Sequence, residues 1–287
     1  MNFWNQPNLT NDTTEARLFQ PLALGKLRLR NRVWLAGLPS GRADLEGNPT
    51  QEMRDFYNAR TEAGMMITEP VIAGPGAART PREPRLDPQC CSQGWMAFAQ
   101  DLRQHGVPCA MQLWSSSPGS LRDGLRSWAC EMSQASALAL NLGFSVVECL
   151  LPQSWLRGGP ELEALLPIML ASTGPKKLAL RFNLQESLAA TAPGLAIIDR
   201  LCRGQLAWLR VICSEAVVHP WNRDLTRWWQ SLETPLVLPA PSCPQRTLLC
   251  DSQGIQADAL TFGAAFMADP QLAQTLARQA QPRCLAA

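Results

Sequence analysis

Apolar residues along the chain fall into short unbroken runs separated by longer stretches of helical period. Eight runs read as buried strands: residues 33–36, 65–69, 109–114, 144–150, 177–182, 207–213, 235–238 and 258–262. Runs that are apolar throughout, rather than alternating, suit strands covered on both faces. The gaps between them leave room for crossovers. The pattern therefore predicts a parallel sheet, and eight such strands predict closure into a single α/β barrel of the (β/α)₈, or TIM, type. Thr50 is placed to cap a helix carrying Met53, Phe56, Tyr57 and Arg60, with Gly64 as its stop. Ser92 opens another with Trp95, Ala99 and Leu102 on one stripe, ending at Gly106. Further helices are expected over Ser133–Leu142, around Leu162, Leu165, Leu166 and Met169, around Leu225, Trp228, Trp229 and Leu232, and over 265–279.

Ahead of the first strand, residues 18–30 alternate around Gly25-Lys26, as a short N-terminal hairpin would. Residues 1–17 and 281–287 read as tails, which leaves 18–280 for the barrel. Segments 74–89 and 115–130 are rich in Pro, Gly, Ser and Arg. They follow the second and third strands, so they are expected as loops on the face where barrel enzymes carry their chemistry.

Composition narrows the function classes. The chain has 287 residues, 46% hydrophobic and 17% charged, which excludes a disordered or fibrous protein. With 26 basic against 24 acidic residues, the net charge of +2 gives no footprint for nucleic acid or an anionic membrane. Ten cysteines are too sparse for a disulfide scaffold, and with no Cys-x-x-Cys and two distant histidines, His105 and His219, no metal site is expected. No run reaches the ~20 apolar residues of a membrane span. Met1-Asn2-Phe3-Trp4-Asn5-Gln6 lacks the pattern of a signal peptide, so the expected setting is cytoplasmic.

One ordered set of motifs goes further. Leu18-Phe19-Gln20-Pro21-Leu22, Leu29-Arg30-Asn31-Arg32-Val33, Gly41-Arg42-Ala43-Asp44, Pro49-Thr50, Ile67-Thr68-Glu69 and Gln112-Leu113-Trp114 follow one another in a familiar order and spacing. Gly143-Phe144, Val147-Glu148, Leu180-Arg181-Phe182, Phe262-Gly263 and Ala268-Asp269-Pro270 continue it more weakly. Together they resemble the old yellow enzyme family, FMN-dependent (β/α)₈ ene-reductases, over roughly residues 18–270. The resemblance implies that Gln112 would face the flavin pyrimidine and Arg181 its N1 and O2 region, if FMN is bound.

The departures from that family are more informative than the matches. The His-x-x-Asn or His-x-x-His pair that holds the substrate carbonyl reads Leu150 and Gln153 here, and leucine donates no hydrogen bond. The proton-donating tyrosine has no counterpart, because the single tyrosine, Tyr57, aligns with a scaffold position. The loop that would carry it looks shortened, at Arg157-Gly158-Gly159-Pro160. Pro39 stands for the Thr or Cys near the flavin, and Ser115-Ser116-Ser117-Pro118 for a His-x-Gly-Arg. The phosphate glycines read Leu238-Pro239-Ala240-Pro241, and the final Gly-Arg reads Gly263-Ala264. Prolines lack the N–H that cradles phosphate, and alanine lacks the bidentate cation.

The residues left to carry function are few. Glu148 and Arg181 are expected inside the barrel as a buried ion pair, or, on the sharper reading, with Glu148 as a general base whose pKa desolvation raises. Glu69 at the end of the second strand is either catalytic or caps a loop amide. His219, in Val218-His219-Pro220-Trp221, is the only histidine placed for acid–base work. Gln112, Trp114, Leu150, Gln153 and Arg181 are expected to line the pocket, with Trp114 as a flat wall. Cys149 and Cys213 read as core packing, and Cys90-Cys91 as a loop pair. Arg79, Arg82 and Arg85 read as a basic loop, and Trp221, Trp228 and Trp229 as a candidate partner patch.

The expected function is an old yellow enzyme-like barrel that has lost FMN binding and ene-reduction. It would act without cofactor on a small conjugated carbonyl compound by cyclisation, isomerisation or elimination, in a biosynthetic pathway. One alternative is a pseudoenzyme that binds an active enzyme or another protein partner as an oligomer. Another is an FMN-dependent oxidoreductase with an unorthodox site.

Overall fold

The computed structural model describes residues 17–74, 78, 80–87, 92–115, 122–157, 160–184, 188–213, 233–240 and 257–280. A 3-10 turn, Arg17–Phe19, leads into a hairpin of β1 (Leu22–Leu24) and β2 (Leu27–Leu29). The hairpin pairs antiparallel, Leu22 opposite Leu29, and Gly25 makes its turn at φ 56°, a conformation glycine adopts without strain.

Eight parallel strands then close on themselves. They are β3 (Val33–Leu35), β4 (Met65–Ile67), β7 (Cys109–Trp114), β8 (Val146–Leu150), β9 (Leu178–Leu184), β10 (Leu209–Cys213), β11 (Leu236–Pro239) and β12 (Ala259–Phe262). Each pairs with the next, β12 pairs with β3, and β4 pairs with β7, which shuts the barrel. The eight strands expected from the apolar runs are all present. Two short strands, β5 (Val71–Ala73) and β6 (Arg85–Leu86), extend the wall beside the end of β7.

The helices outside are α1 (Gln51–Asn58), α2 (Ser92–Gln104), α3 (Arg122–Leu142), α4 (Pro160–Thr173), α5 (Leu188–Cys202), α6 (Ala264–Ala268) and α7 (Leu272–Ala280). Thr50 caps α1 as expected, its hydroxyl accepting the Met53 amide at 3.2 Å. One expectation needs correction. The helix predicted to begin at Ser133 begins at Arg122, so much of the loop expected over 115–130 is helical. Glycine and serine lowered the propensity of that first stretch, but Trp128, Ala129 and Met132 bury against the core and decide the matter. Helix α5 has no clear periodicity because it carries Pro193-Gly194. Gly194 is needed there, since a Cβ would stand 2.4 Å from Leu156 Cα. The helix expected around Leu225–Leu232 lies outside the described residues.

Strand residues alternate between two cores. Val33, Leu35, Met111, Leu113, Val147, Cys149, Leu180, Phe182, Leu260 and Phe262 face the helices. Trp34, Met65, Ile67, Ala110, Val146, Ala179, Trp208, Val237 and Ala259 fill the interior, joined by hairpin Leu24 and Leu29. The hairpin therefore plugs the barrel at the end where its strands begin, and the ends of the strands are left to carry a site.

Candidate functional site

Above the apolar interior layer the barrel becomes polar. Gln112 and Glu148 lie opposite each other on β7 and β8, and both are fully buried. Glu148 accepts from Gln112 Nε2 at 2.7 Å on Oε1 and from Trp208 Nε1 at 3.0 Å on Oε2. The guanidinium of Arg210, on β10, closes on Glu148 Oε1 as an ion pair, 2% and 0% exposed on the two sides. Gln112 turns its other end outward, where Oε1 accepts from Arg181 Nη1 at 2.8 Å. The result is a chain that runs from Arg210 through Glu148 and Gln112 to half-buried Arg181.

This corrects the expected Glu148–Arg181 pair. The partner in direct contact with Glu148 is Arg210, and Arg181 reaches it through the Gln112 amide. Burial pushes the Glu148 carboxyl up, but the charges of Arg210 and Arg181 and the bonds from Arg210 and Trp208 outweigh it, holding the group below its ordinary value. A general base needs the opposite shift. As placed, Glu148 is an ionised structural anion with its lone pairs facing three donors. Arg210 and Trp208 were missed in the sequence, though a charged residue inside the run Trp208-Leu209-Arg210-Val211 was a signal that it would need a buried partner.

Glu69 sits where β4 gives way to the loop. Its Oε2 accepts the Ser40 amide at 2.9 Å and its Oε1 accepts the Ser40 hydroxyl, so it caps the loop after β3. Its own N–H donates to the Tyr57 hydroxyl at 2.7 Å, which gives the only tyrosine of the chain a scaffold role. Burial raises the Glu69 carboxyl, opposed by the hydrogen bonds from Ser40 and Gly41 and by the charge of Arg42. Of the two readings of Glu69, the loop cap is the one its bonds describe.

Trp114 ends β7, nearly buried, on the same face of the strand as Gln112. Leu150 ends β8, half-buried, in register with Arg181 on β9. Trp114, Leu150 and Arg181 thus form one row across three adjacent strands. Asn183, two residues beyond Arg181 on the same face, adds a group that the sequence did not single out. Gln153 begins a 3-10 turn, Gln153–Arg157, after β8, and its side chain lies outside the described residues. His219, Arg79, Cys90, Cys91, Trp221, Trp228 and Trp229 also lie outside them. Cys149 is buried with its thiol pushed up to about 12 by burial, so it packs rather than reacts. Among the described residues no three His, Cys, Asp or Glu side chains gather as metal ligands. No described helix is long and apolar enough to cross a membrane.

The described residues offer FMN few contacts at the places the family resemblance implies. The Gln112 amide, which would face a flavin ring, is engaged at both ends inside the barrel. At the end of β12, Gly263 opens the five-residue α6 and Ala264 brings no cation. Leu38 lies over that glycine, 2.7 Å from where a Cβ would stand. Pro239 at the end of β11 has no N–H to offer.

A closed eight-stranded parallel barrel with a plugging hairpin and a polar cluster at its mouth defines the class, a (β/α)₈ barrel of old yellow enzyme architecture. Solved structures agree. Morphinone reductase superposes with a TM-score of 0.79 over 93% of this chain and 91% of that one, at 18% identity. A variant of NCR from Zymomonas mobilis gives 0.79 over 92% and 91%, at 22% identity. Residues 17–149 match the NADH:flavin oxidoreductase / NADH oxidase family. The chain is thus similar to old yellow enzymes in fold over nearly its whole length, and to the flavin oxidoreductase family in sequence over residues 17–149. It is 26% identical over 125 residues to a protein of Claviceps fusiformis named "Probable inactive dehydrogenase easA", and 29% identical over 101 residues to 12-oxophytodienoate reductase 7 of Oryza sativa subsp. japonica. Those matches cover 43% and 35% of this chain, and 33% and 25% of the relatives. The matched part is thus at most about a third of either relative's length.

Proposed function

We propose that the protein works without FMN and binds a small conjugated carbonyl compound at the barrel mouth, where Arg181 stabilises negative charge on the carbonyl oxygen. The observation that carries this is the chain Arg210–Glu148–Gln112–Arg181, which holds one guanidinium at the rim while using the flavin-facing amide as its tether. A guanidinium keeps its charge at any working pH. It favours an enolate-like oxygen over a neutral carbonyl, and that difference accelerates a reaction. Trp114 supplies a flat wall and Leu150 an apolar neighbour. Isomerisation, cyclisation or elimination moves a proton and an electron pair within one substrate, so no external reductant is required. His219 is the candidate to carry the proton.

The test is the absorbance spectrum of the purified protein with mass spectrometry of whatever it retains. We expect no flavin band after gel filtration and none after incubation with excess FMN. A stoichiometric flavin band would refute the reading and restore an oxidoreductase. A second reading, a non-catalytic partner of an active enzyme in the cytoplasm, is favoured by the "inactive" names of the Claviceps fusiformis protein and of a second relative, from Epichloe festucae var. lolii. It predicts that Arg181→Gln, still folded, leaves pathway output unchanged.

A further inference from the structure

Asn183 carries an interior acceptor without a bond, unlike Trp34 and Arg210, whose unbonded buried atoms are N–H donors. Its Oδ1 is buried and accepts no hydrogen bond, whereas Gln112 and Glu148 are satisfied by their neighbours. It lies on β9 two residues beyond Arg181, on the same face and nearer the mouth, in register with Ile212 of β10. A buried acceptor without a donor costs free energy that nothing in the described residues returns. It is therefore a group kept ready for a donor from elsewhere.

We propose that Asn183 is a specificity-determining residue of the mouth site, and that the ligand is a conjugated carbonyl compound bearing a hydroxyl or N–H next to the carbonyl. This rests on the flavin-free reading of the same site. Arg181 takes the carbonyl oxygen, and Asn183 Oδ1 accepts the neighbouring O–H or N–H. Two adjacent side chains on one strand then read an acceptor and a donor set side by side, as in a hydroxypyranone, a hydroxyenone or an unsaturated lactam. A ligand with only the carbonyl leaves Asn183 buried and unpaired, and such a mismatch is rejected more strongly than a missing apolar contact.

The probes are maltol, a hydroxypyranone, and its O-methyl ether, which keeps ring and carbonyl but loses the donor. Binding is followed by calorimetry on the full chain, with circular dichroism as the check on folding. The wild type should prefer maltol by about tenfold, the worth of one hydrogen bond to a buried acceptor. Asn183→Leu, which keeps the side-chain size, should bind both probes equally and at the level of the ether. Asn183→Ala serves as the second variant if the leucine perturbs the fold. Arg181→Gln should weaken both probes together. Equal wild-type affinity for the two probes, or a preference that survives both Asn183 variants, overturns the role of Asn183 and leaves the flavin-free reading standing. Failure of the wild type to bind either probe, together with uptake of FMN, overturns both.

Discussion

Glu148→Gln is the most direct probe of the polar interior. The substitution keeps the shape of the side chain and removes its charge. Arg210, 2% exposed, then carries a buried guanidinium with no counterion in contact. The new amide must also meet donors from Trp208 and Gln112 where a carboxylate accepted both. Breaking a buried pair from one side costs about 3–5 kcal/mol. At roughly 2 °C per kcal/mol for a chain of this size, the melting temperature should fall by about 6–10 °C. The pair itself is a separate question, answered by a double-mutant cycle. Arg210→Met alone leaves the anion with two neutral donors. Glu148→Leu with Arg210→Met removes both charges, so its cost should fall short of the sum of the single changes by about 2 kcal/mol or more. Urea unfolding followed by circular dichroism at neutral pH measures all of these. Because the folded carboxyl titrates below its unfolded value, the pair's contribution is complete above the ordinary glutamate range near about 4.3 and is lost as pH falls through the lower folded value. The deficit of Glu148→Gln should therefore shrink only in acid. A variant within about 1 kcal/mol of wild type at neutral pH, or strictly additive single changes, would refute the reasoning.

Three further outcomes follow from the same geometry. Tyr57→Phe removes the acceptor of the buried Glu69 N–H and should cost about 1–2 kcal/mol in urea unfolding, although Tyr57 touches no ligand in this reading. The indoles of Trp34 and Trp208 meet edge to face at 5.1 Å inside the barrel, but only Trp208 donates, to Glu148, while Trp34 Nε1 is buried without a bond. Trp208→Phe should therefore cost about 1.5–3 kcal/mol more than Trp34→Phe, and equal costs would count against the network. Glu69 shifts the other way from Glu148: its folded carboxyl holds the proton more tightly than the unfolded chain does, so the wild type loses stability as pH rises from the unfolded value through the raised folded one. Any deficit of Glu69→Gln should shrink over that window, and a deficit that grows with pH would show that the carboxylate form is the favoured one.

The scaffold was legible because its signals are local. Apolar runs of four to seven residues marked β3, β4 and β7 through β12, the alternation around Gly25 marked the hairpin, and Thr50 announced the start of α1. The expected departures from the family's carbonyl clamp and phosphate cation were equally local readings, since they rest on which residue stands at Leu150 or Ala264. Where local signals conflicted, at the start of α3 and through Pro193-Gly194 of α5, burial against neighbours overrode propensity.

The sequence by itself determined that this chain closes an eight-stranded barrel. Only the tertiary structure decided what the remaining polar groups do. Glu148 and Arg210 are 62 positions apart, Gln112 and Arg181 69, and nothing in spacing says that these pairs meet. Barrel closure and strand register set which inward side chains share a layer, so Glu148 finds Arg210 rather than Arg181 as its ion-pair partner. The same register gives Gln112 a partner at each end and leaves Asn183 with none. Periodicity tells which face of a strand is buried; partner choice inside that face is a property of the closed barrel.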